Sequence, residues 1–177
     1  LNLWNNNLLE FPEELCNLVN IEKLVLGGNR INKLPESISK LKKLKELDLN
    51  DNKLKSLPEG ICDLENLEIL NIDREIKIFP KNIAKLKKLK ELYFSDKGLA
   101  EFPNELCNLT NLRKLDLSYN KLNGLPKDIS NLKKLKEIEL YGNNFAQLPE
   151  ELYNLKNLEI LNISNNKIKN LSEKISN

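Results

Sequence analysis

The sequence predicts an α/β solenoid, in which short parallel strands are joined by tight turns. The first observation is a repeating skeleton, Leu44-x-x-Leu47-x-Leu49-x-x-Asn52-x-Leu54, followed by Leu57-Pro58-x-x-Ile61-x-x-Leu64. The second is its recurrence at spacings of 22 or 23 residues across all 177 residues. A fixed period of this length is typical of a solenoid. We expect one domain over residues 1–177, with strands starting at Leu1, Leu24, Leu47, Leu70, Leu92, Leu115, Ile138 and Leu161.

Each skeleton position has a physical role. Leu47 and Leu49 alternate with Asp48, so a short strand sends both leucines inward and the aspartate outward. Asn52 follows a tight turn, where its amide can donate to and accept from the backbone of neighbouring copies. Pro58 fixes φ where the chain turns back, and the apolar spacing of three after it suits a short 3₁₀ or helical turn. Because one copy cannot bury its apolar side alone, the copies must stack.

The pattern resembles the leucine-rich repeat family. The match is to the class LPxxIxxLxxLxxLxLxxNxL, which occurs in bacterial proteins, including spirochaetal ones, and in intracellular Ras-binding scaffolds. The resemblance covers the whole chain. It implies a right-handed horseshoe or arc with a parallel concave sheet of about eight short strands and a convex side of short 3₁₀ or irregular turns. It also implies a scaffold that binds a protein or peptide on its concave face.

The fourth copy departs from the pattern. It is one residue shorter than the others before Pro80, so Arg74 falls near the asparagine position, and the fifth copy has Lys97 there. Neither side chain can accept a hydrogen bond. The interruption is either ordinary repeat variation or an altered joint that makes a contact.

The ends and the compartment are open questions at this stage. Since Leu1 already lies in a predicted strand, we expect a fragment that lacks an N-terminal cap and whose edge near Trp4 can pair with a second copy. No apolar run is long enough for a transmembrane span or a signal peptide, so no membrane insertion is expected. Both a cytoplasmic and a secreted or surface location in a bacterium remain compatible with the sequence.

The composition argues against catalysis. There is no histidine, and no glycine-rich loop that would cradle a phosphate. Cys16, Cys62 and Cys107 occupy equivalent slots two copies apart, which places them about 10 Å or more from each other, beyond the roughly 7 Å that a disulfide allows. We therefore expect free thiols, no metal site, no cofactor and no enzymatic activity.

Lysines cluster in every second copy, because two copy types alternate along the chain. The slots are Lys40, Lys42, Lys43 and Lys45, then Lys85, Lys87, Lys88 and Lys90, then Lys133, Lys134 and Lys136. They could form basic stripes for nucleic acid or anionic lipid. The net charge of only +2 and the interleaved carboxylates favour a solvated surface instead, so no nucleic-acid partner is expected.

The outward positions of the strands predict an acidic concave face with aromatic residues. Asp116 and Glu139 should be neighbours with only Lys114 near enough to offset them, at a cost of up to about 1 kcal/mol. This is either ordinary variation or a site for a protein or peptide with a basic or amphipathic segment, because tyrosine and tryptophan suit such contacts. The candidate partner-binding residues are Trp4, Asp48, Glu91, Tyr93, Asp116, Tyr119, Glu137, Glu139 and Tyr141.

Two other functions remain open. One is the substrate-recognition arm of a larger enzyme or effector, which a downstream catalytic domain would favour. The other is a bacterial surface or secreted adhesion protein that binds host molecules, which a secretion signal would favour.

Overall fold

The computed structural model describes residues 1–76, 78–96 and 98–171, and in them the chain builds one parallel sheet. Neighbouring strands are consecutive in the chain, so each copy stacks directly on the one before it. This confirms the predicted solenoid of parallel strands. The strands are β1 Lys23–Val25, β2 Glu46–Asp48, β3 Ile69–Asn71, β4 Glu91–Tyr93, β5 Lys114–Asp116, β6 Glu137–Glu139 and β7 Ile160–Asn162.

The strand boundaries differ slightly from those expected. Each strand begins one residue before the apolar residue used for counting. The first copy joins β1 through an isolated parallel bridge between Asn2 and Val25 rather than through a three-residue strand. Along most strands the central side chain is buried while its two neighbours are partly exposed, as the period of two requires. We call the exposed side, which is the predicted concave face, the sheet face.

The return path of each copy is a short 3₁₀ helix. These helices are η1 Glu13–Asn17, η2 Glu36–Lys40, η3 Glu59–Asp63, η4 Ile83–Lys85, η5 Asn104–Asn108, η6 Lys127–Asn131 and η7 Glu150–Asn154. A proline directly precedes all of them except η4, and its backbone is already extended with φ between −60° and −77°. The ring fixes φ and lacks an N–H that the first turn would leave unpaired, which explains why Leu-Pro starts the return path.

The interior is a continuous apolar core between the sheet and the 3₁₀ helices. The three cysteines are free and buried in it. Burial raises the pKa of both Cys62 and Cys107 to about 12, so these thiols are protonated fillers at neutral pH. Over residues 1–76, 78–96 and 98–171, no helix is long and apolar enough to cross a membrane.

Buried asparagine amides tie each copy to the one before it. In the seventh copy, Asn143 Nδ2 donates to Leu117 O and Leu140 O at 3.0 Å each, and its Oδ1 accepts from Leu122 N at 3.0 Å. Leu117 and Leu122 belong to the preceding copy, while Leu140 belongs to the same one. One side chain therefore both closes its own turn and fixes its neighbour. The asparagines at this position, which we call the ladder, include Asn29, Asn52, Asn120, Asn143 and Asn166.

The structure corrects the expectation for the fourth copy. Asp73, not Arg74, occupies the ladder position, and its side chain is fully buried. Its carboxylate accepts from Asn52 N at 3.3 Å and from Leu54 N at 2.6 Å. Arg74 lies at the surface instead, in an ion pair with Asp51. The shorter loop moves the ladder position two residues closer to the strand, and the Asp73 carboxylate accepts the backbone hydrogen bonds that a ladder asparagine accepts in other copies. Lys97, the other residue expected to interrupt the ladder, lies outside the described residues.

We predict that Asn143→Ala lowers the free energy of unfolding by about 2–4 kcal/mol, because it leaves buried backbone groups of two copies without partners. Denaturant unfolding followed by circular dichroism measures this change. The matched control is Asn123→Ala, at an exposed position in the preceding copy, which should change stability by less than about 0.5 kcal/mol. Equal effects of the two substitutions would contradict the role given to the ladder.

Candidate functional site

The outward side chains at the last residue of each strand from β2 to β7 form a straight column on the sheet face, because the strands pair in register. Adjacent members are Cα partners across each strand pair, so successive side chains stand about 4.8 Å apart. The column is Asp48, Asn71, Tyr93, Asp116, Glu139 and Asn162. Three of the expected site residues, Tyr93, Asp116 and Glu139, are thus consecutive in it.

Beside this column, two of the expected carboxylates are already engaged. Lys114 Nζ lies 2.7 Å from Glu137 Oε1 and 5.6 Å from the centroid of the Tyr93 ring. The Tyr93 hydroxyl donates to Glu91 Oε2 at 2.8 Å. The hydrogen bond to Glu137 raises the pKa of Lys114, and burial together with the bond to Glu91 raises the pKa of Tyr93 to about 12. Glu91, Tyr93, Lys114 and Glu137 therefore form a connected cluster with little free charge.

Asp116 and Glu139 are left as the uncompensated charges. They face each other as Cα partners on β5 and β6. Lys114, the residue expected to offset them, pairs with Glu137 instead. Within the described part of the chain neither carboxylate has an ion-pair partner, although Asp116 Oδ1 accepts from Ser118 N at 2.8 Å. Two like charges so placed destabilise a sheet by about 0.2–1 kcal/mol.

A pair of tyrosines, one exposed and one half-buried, lies at the carboxyl end of the same strands. The rings of Tyr119 and Tyr141 meet edge to face, with centroids 4.9 Å apart and planes at 72°. The Tyr119 ring also covers Gly142, where an added Cβ would stand 3.2 Å from Tyr119 Cδ1. Tyr119 is nevertheless 58% exposed. The two rings present a rigid apolar surface with polar tips directly beyond Asp116 and Glu139.

Tyr119 occupies a backbone position that does not suit it. The residue before most ladder positions has positive φ, in the series Asn5, Gly28, Asp51, Asp96, Tyr119, Gly142 and Asn165. Ile72, which precedes Asp73, does not belong to this series. Glycine, asparagine and aspartate tolerate this conformation, whereas a bulky residue pays about 1 kcal/mol or more. Tyr119 has φ of +56°, so it stores local strain beside the unpaired carboxylates. The sequence carried this signal, since the other residues of this series are glycine, asparagine or aspartate.

The remaining expected residues do not join this group. Trp4 lies at the far end of the sheet, where its ring covers Gly27. Asp48 lies three strands from Asp116, beside a shallow depression of about 270 Å³ that runs from β2 to β4. The expected set therefore divides into a compact group on β4 to β6 and two outlying residues. We call the compact group, Asp116, Tyr119, Glu139 and Tyr141, the carboxylate–tyrosine patch.

The described residues contain no cluster of three or more His, Cys, Asp or Glu side chains placed to hold a metal ion. A parallel sheet exposed along one face, with columns of variable side chains on a continuous apolar core, is typical of repeat scaffolds.

Comparisons with known proteins identify the family. A model described as a leucine-rich repeat region matches residues 10–125, and models of shorter leucine-rich repeats match residues 110–150 and 157–177. The chain belongs to the leucine-rich repeat family. A search of curated proteins finds no significant match.

Solved structures agree with this assignment. A leucine-rich repeat protein of Leptospira interrogans is 31% identical, with a TM-score of 0.51 over 98% of this chain and 56% of its own. An internalin of Listeria monocytogenes shares the fold at 24% identity, with a TM-score of 0.60 over 91% of this chain and 53% of its own. The chain thus spans little more than half the length of either protein. Leucine-rich repeats typically act as non-enzymatic interaction modules, and their extended curved surface is the usual site of contact.

We predict that Tyr119→Asn is more stable than Tyr141→Ser by about 1 kcal/mol. Both substitutions remove the ring pair and introduce a residue found in the equivalent slot of other copies, Asn165 and Ser164. Only the first also relieves positive φ, because asparagine tolerates that conformation. Parallel urea unfolding curves measure the difference. If Tyr141→Ser proves equal or more stable, Tyr119 is not strained.

A second prediction concerns pH. Burial raises the pKa of Asp48, against the opposing hydrogen bond from Asn50 N at 3.0 Å. The pKa of Asp48 is thus higher in the folded than in the unfolded chain. Stability therefore falls as the pH rises from the unfolded pKa through the folded pKa, and above both values the ionised Asp48 destabilises the fold. Asp48→Asn keeps the acceptor oxygen, as Asn162 does for Ser164 N at 3.2 Å.

Asp48→Asn should therefore raise the free energy of unfolding at pH 7. It should leave this free energy unchanged near pH 3, where the protonated Asp48 side chain is as neutral as the asparagine that replaces it. Urea unfolding at both pH values checks this. Asp128→Asn, at an exposed position in η6, is the charge-matched control and should show no such gain at pH 7. A loss of stability in Asp48→Asn at pH 7 would contradict the pKa assignment.

Proposed function

We propose that this chain is a protein-interaction module that binds a basic or amphipathic segment of a protein partner through the carboxylate–tyrosine patch. The observation that carries the proposal is the pair of carboxylates without ion-pair partners, Asp116 and Glu139, set in register beside the exposed Tyr119 and the half-buried Tyr141. At neighbouring positions of the sheet face, Glu137 has a cationic partner and Glu91 has a phenolic one.

Physical chemistry favours a cationic ligand at this place. A partner lysine or arginine between Asp116 and Glu139 would turn a repulsion of about 0.2–1 kcal/mol into two charge-assisted hydrogen bonds. The strain at Tyr119 points in the same direction, because unfavourable backbone conformations cluster at functional sites. Tyrosine rings give a large contact area at low cost in side-chain entropy, and they also stack on guanidinium groups.

The partner segment is best extended or one face of a helix. The patch spans two strands and the following turns, which suits a short stretch of chain rather than a broad flat surface. A longer ligand would also pass Glu91, Tyr93 and Glu137. Trp4, at the far end of the sheet, lies beyond this path. The two alternatives, an arm of a larger enzyme and a surface adhesion protein, would use the same sheet face and differ in what accompanies it.

Selection from a random peptide display library tests this proposal. We expect the chain to enrich peptides that combine lysine or arginine with an apolar residue. The variant Asp116→Asn with Glu139→Gln should bind the enriched peptides about tenfold or more weakly, because each charged hydrogen bond contributes about 1.5–3 kcal/mol. It should unfold at the same or slightly higher denaturant concentration, since the repulsion is gone.

The matched control is Glu105→Gln with Asp128→Asn, which removes the same charge from η5 and η6, the 3₁₀ helices that precede β5 and β6. It should bind the enriched peptides as the unaltered chain does. Enrichment of acidic peptides, or equal loss of binding in both double variants, would contradict the proposal.

A further inference from the structure

The segment before each strand contributes one charged residue to a column in which acidic and basic side chains mostly alternate. Its members stack through backbone hydrogen bonds of 2.7–2.8 Å from each to the one before. The column, which we call the rim, is Glu22, Lys45, Glu68, Lys90, Arg113, Lys136 and Glu159. Glutamate and lysine alternate because the two copy types alternate, so most members meet an opposite charge one copy away.

Ion pairs occupy the rim on both sides of its centre. Lys45 Nζ lies 2.9 Å from Glu22 Oε2, and Lys90 Nζ lies 2.6 Å from Glu68 Oε2. Lys136 turns toward the other end, with its Nζ 2.5 Å from Glu159 Oε1. The lysines on either side of the fifth copy therefore both point away from it.

Arg113 interrupts this alternation. It stands in the slot that holds glutamate in the other copies of its type, and its backbone lies between those of Lys90 and Lys136. Its side chain is exposed and has no ion-pair partner in the part of the chain that the structure describes. The neighbouring exposed slots of copies four and six add Lys87, Lys88, Lys133 and Lys134. Copies four to six therefore present a local excess of positive charge at the edge where their strands begin.

This basic edge adjoins the carboxylate–tyrosine patch, because Arg113 and Lys136 directly precede the strands that carry Asp116 and Glu139. Arg113 precedes Asp116 by three residues, or about 10 Å along an extended strand. Asp116 and Glu139 would repel a polyanion over about this distance, which is close to the screening length at physiological salt. A nucleic acid or an anionic membrane is thus disfavoured beside them. A protein segment that carries both signs matches the two surfaces at once.

We infer that Arg113 and its flanking lysines bind an acidic side chain of the same partner segment whose basic group occupies Asp116 and Glu139. This inference rests on the proposed function and adds to it the direction in which the partner segment binds. The ligand is a bipolar segment with its anionic group about 10 Å, or three extended residues, from its cationic group. The rim thereby sets the direction in which the segment crosses the sheet.

Synthetic peptides of glycine and serine test the inference. The basic probe carries two arginines. The bipolar probes add two aspartates three residues before or after them, and an acidic probe carries the aspartates alone. Titrations followed by NMR should give tighter binding of one bipolar probe than of the basic probe, by about three- to tenfold, and a smaller difference in 0.5 M salt. The other bipolar probe, with its charges in reverse order, should gain little.

The variant Arg113→Glu separates the rim from the patch. It places at this slot the residue found at Glu22, Glu68 and Glu159, so it should fold as well as the unaltered chain. It should abolish the gain of the bipolar probe yet leave binding of the basic probe at least as tight. The matched control Arg30→Glu changes the same charge at an exposed position in the second copy and should retain the gain.

The outcomes are distinguishable. Equal binding of the basic and bipolar probes, or a gain that survives Arg113→Glu, overturns the role of the rim while the proposed function stands. Failure of the basic probe to bind overturns the proposed function as well. Tighter binding of a single-stranded DNA dodecamer or of phosphatidylserine vesicles than of any bipolar probe would show that the rim serves a polyanion instead.

Discussion

The structure depends on the buried amide that joins most copies to the preceding one. An amide can donate and accept at once, so a residue such as Asn143 closes its own turn and anchors the backbone of its neighbour. This double contact fixes the register between copies. Register in turn sets every outward side chain opposite its equivalent, which is what arranges Tyr93, Asp116 and Glu139 into one column.

The same ladder also sets the local cost of the candidate site. Because the residue before most ladder positions adopts positive φ, a tyrosine at 119 is held in a conformation better suited to asparagine or glycine. Asp116 and Glu139 add repulsion at the same place. The continuous apolar core lies beneath both features, and the register of the strands keeps them close together on the sheet face.

The leucine period, the Leu-Pro turns and the ladder asparagines were predictable from the sequence, because each reflects a backbone requirement repeated in every copy. The choice among competing side-chain partners was not. Sequence spacing put Lys114 near three carboxylates, and only the folded geometry selects Glu137. Likewise, a one-residue deletion left Asp73 and Arg74 as competitors for one ladder position, and the path of the shortened loop decides for Asp73. The contact of Tyr119 with Tyr141 needed the turn geometry as well.

The most direct test of the account is a map of backbone amide chemical shifts in the isotope-labelled chain while a basic, tyrosine-containing peptide is added. The account predicts that the largest shifts fall on β5, β6 and the turns that carry Tyr119 and Tyr141, and that the amides of η5 and η6 on the opposite side stay unchanged. Shifts concentrated on those 3₁₀ helices, or at the end of the sheet near Trp4, would contradict the placement of function on the carboxylate–tyrosine patch.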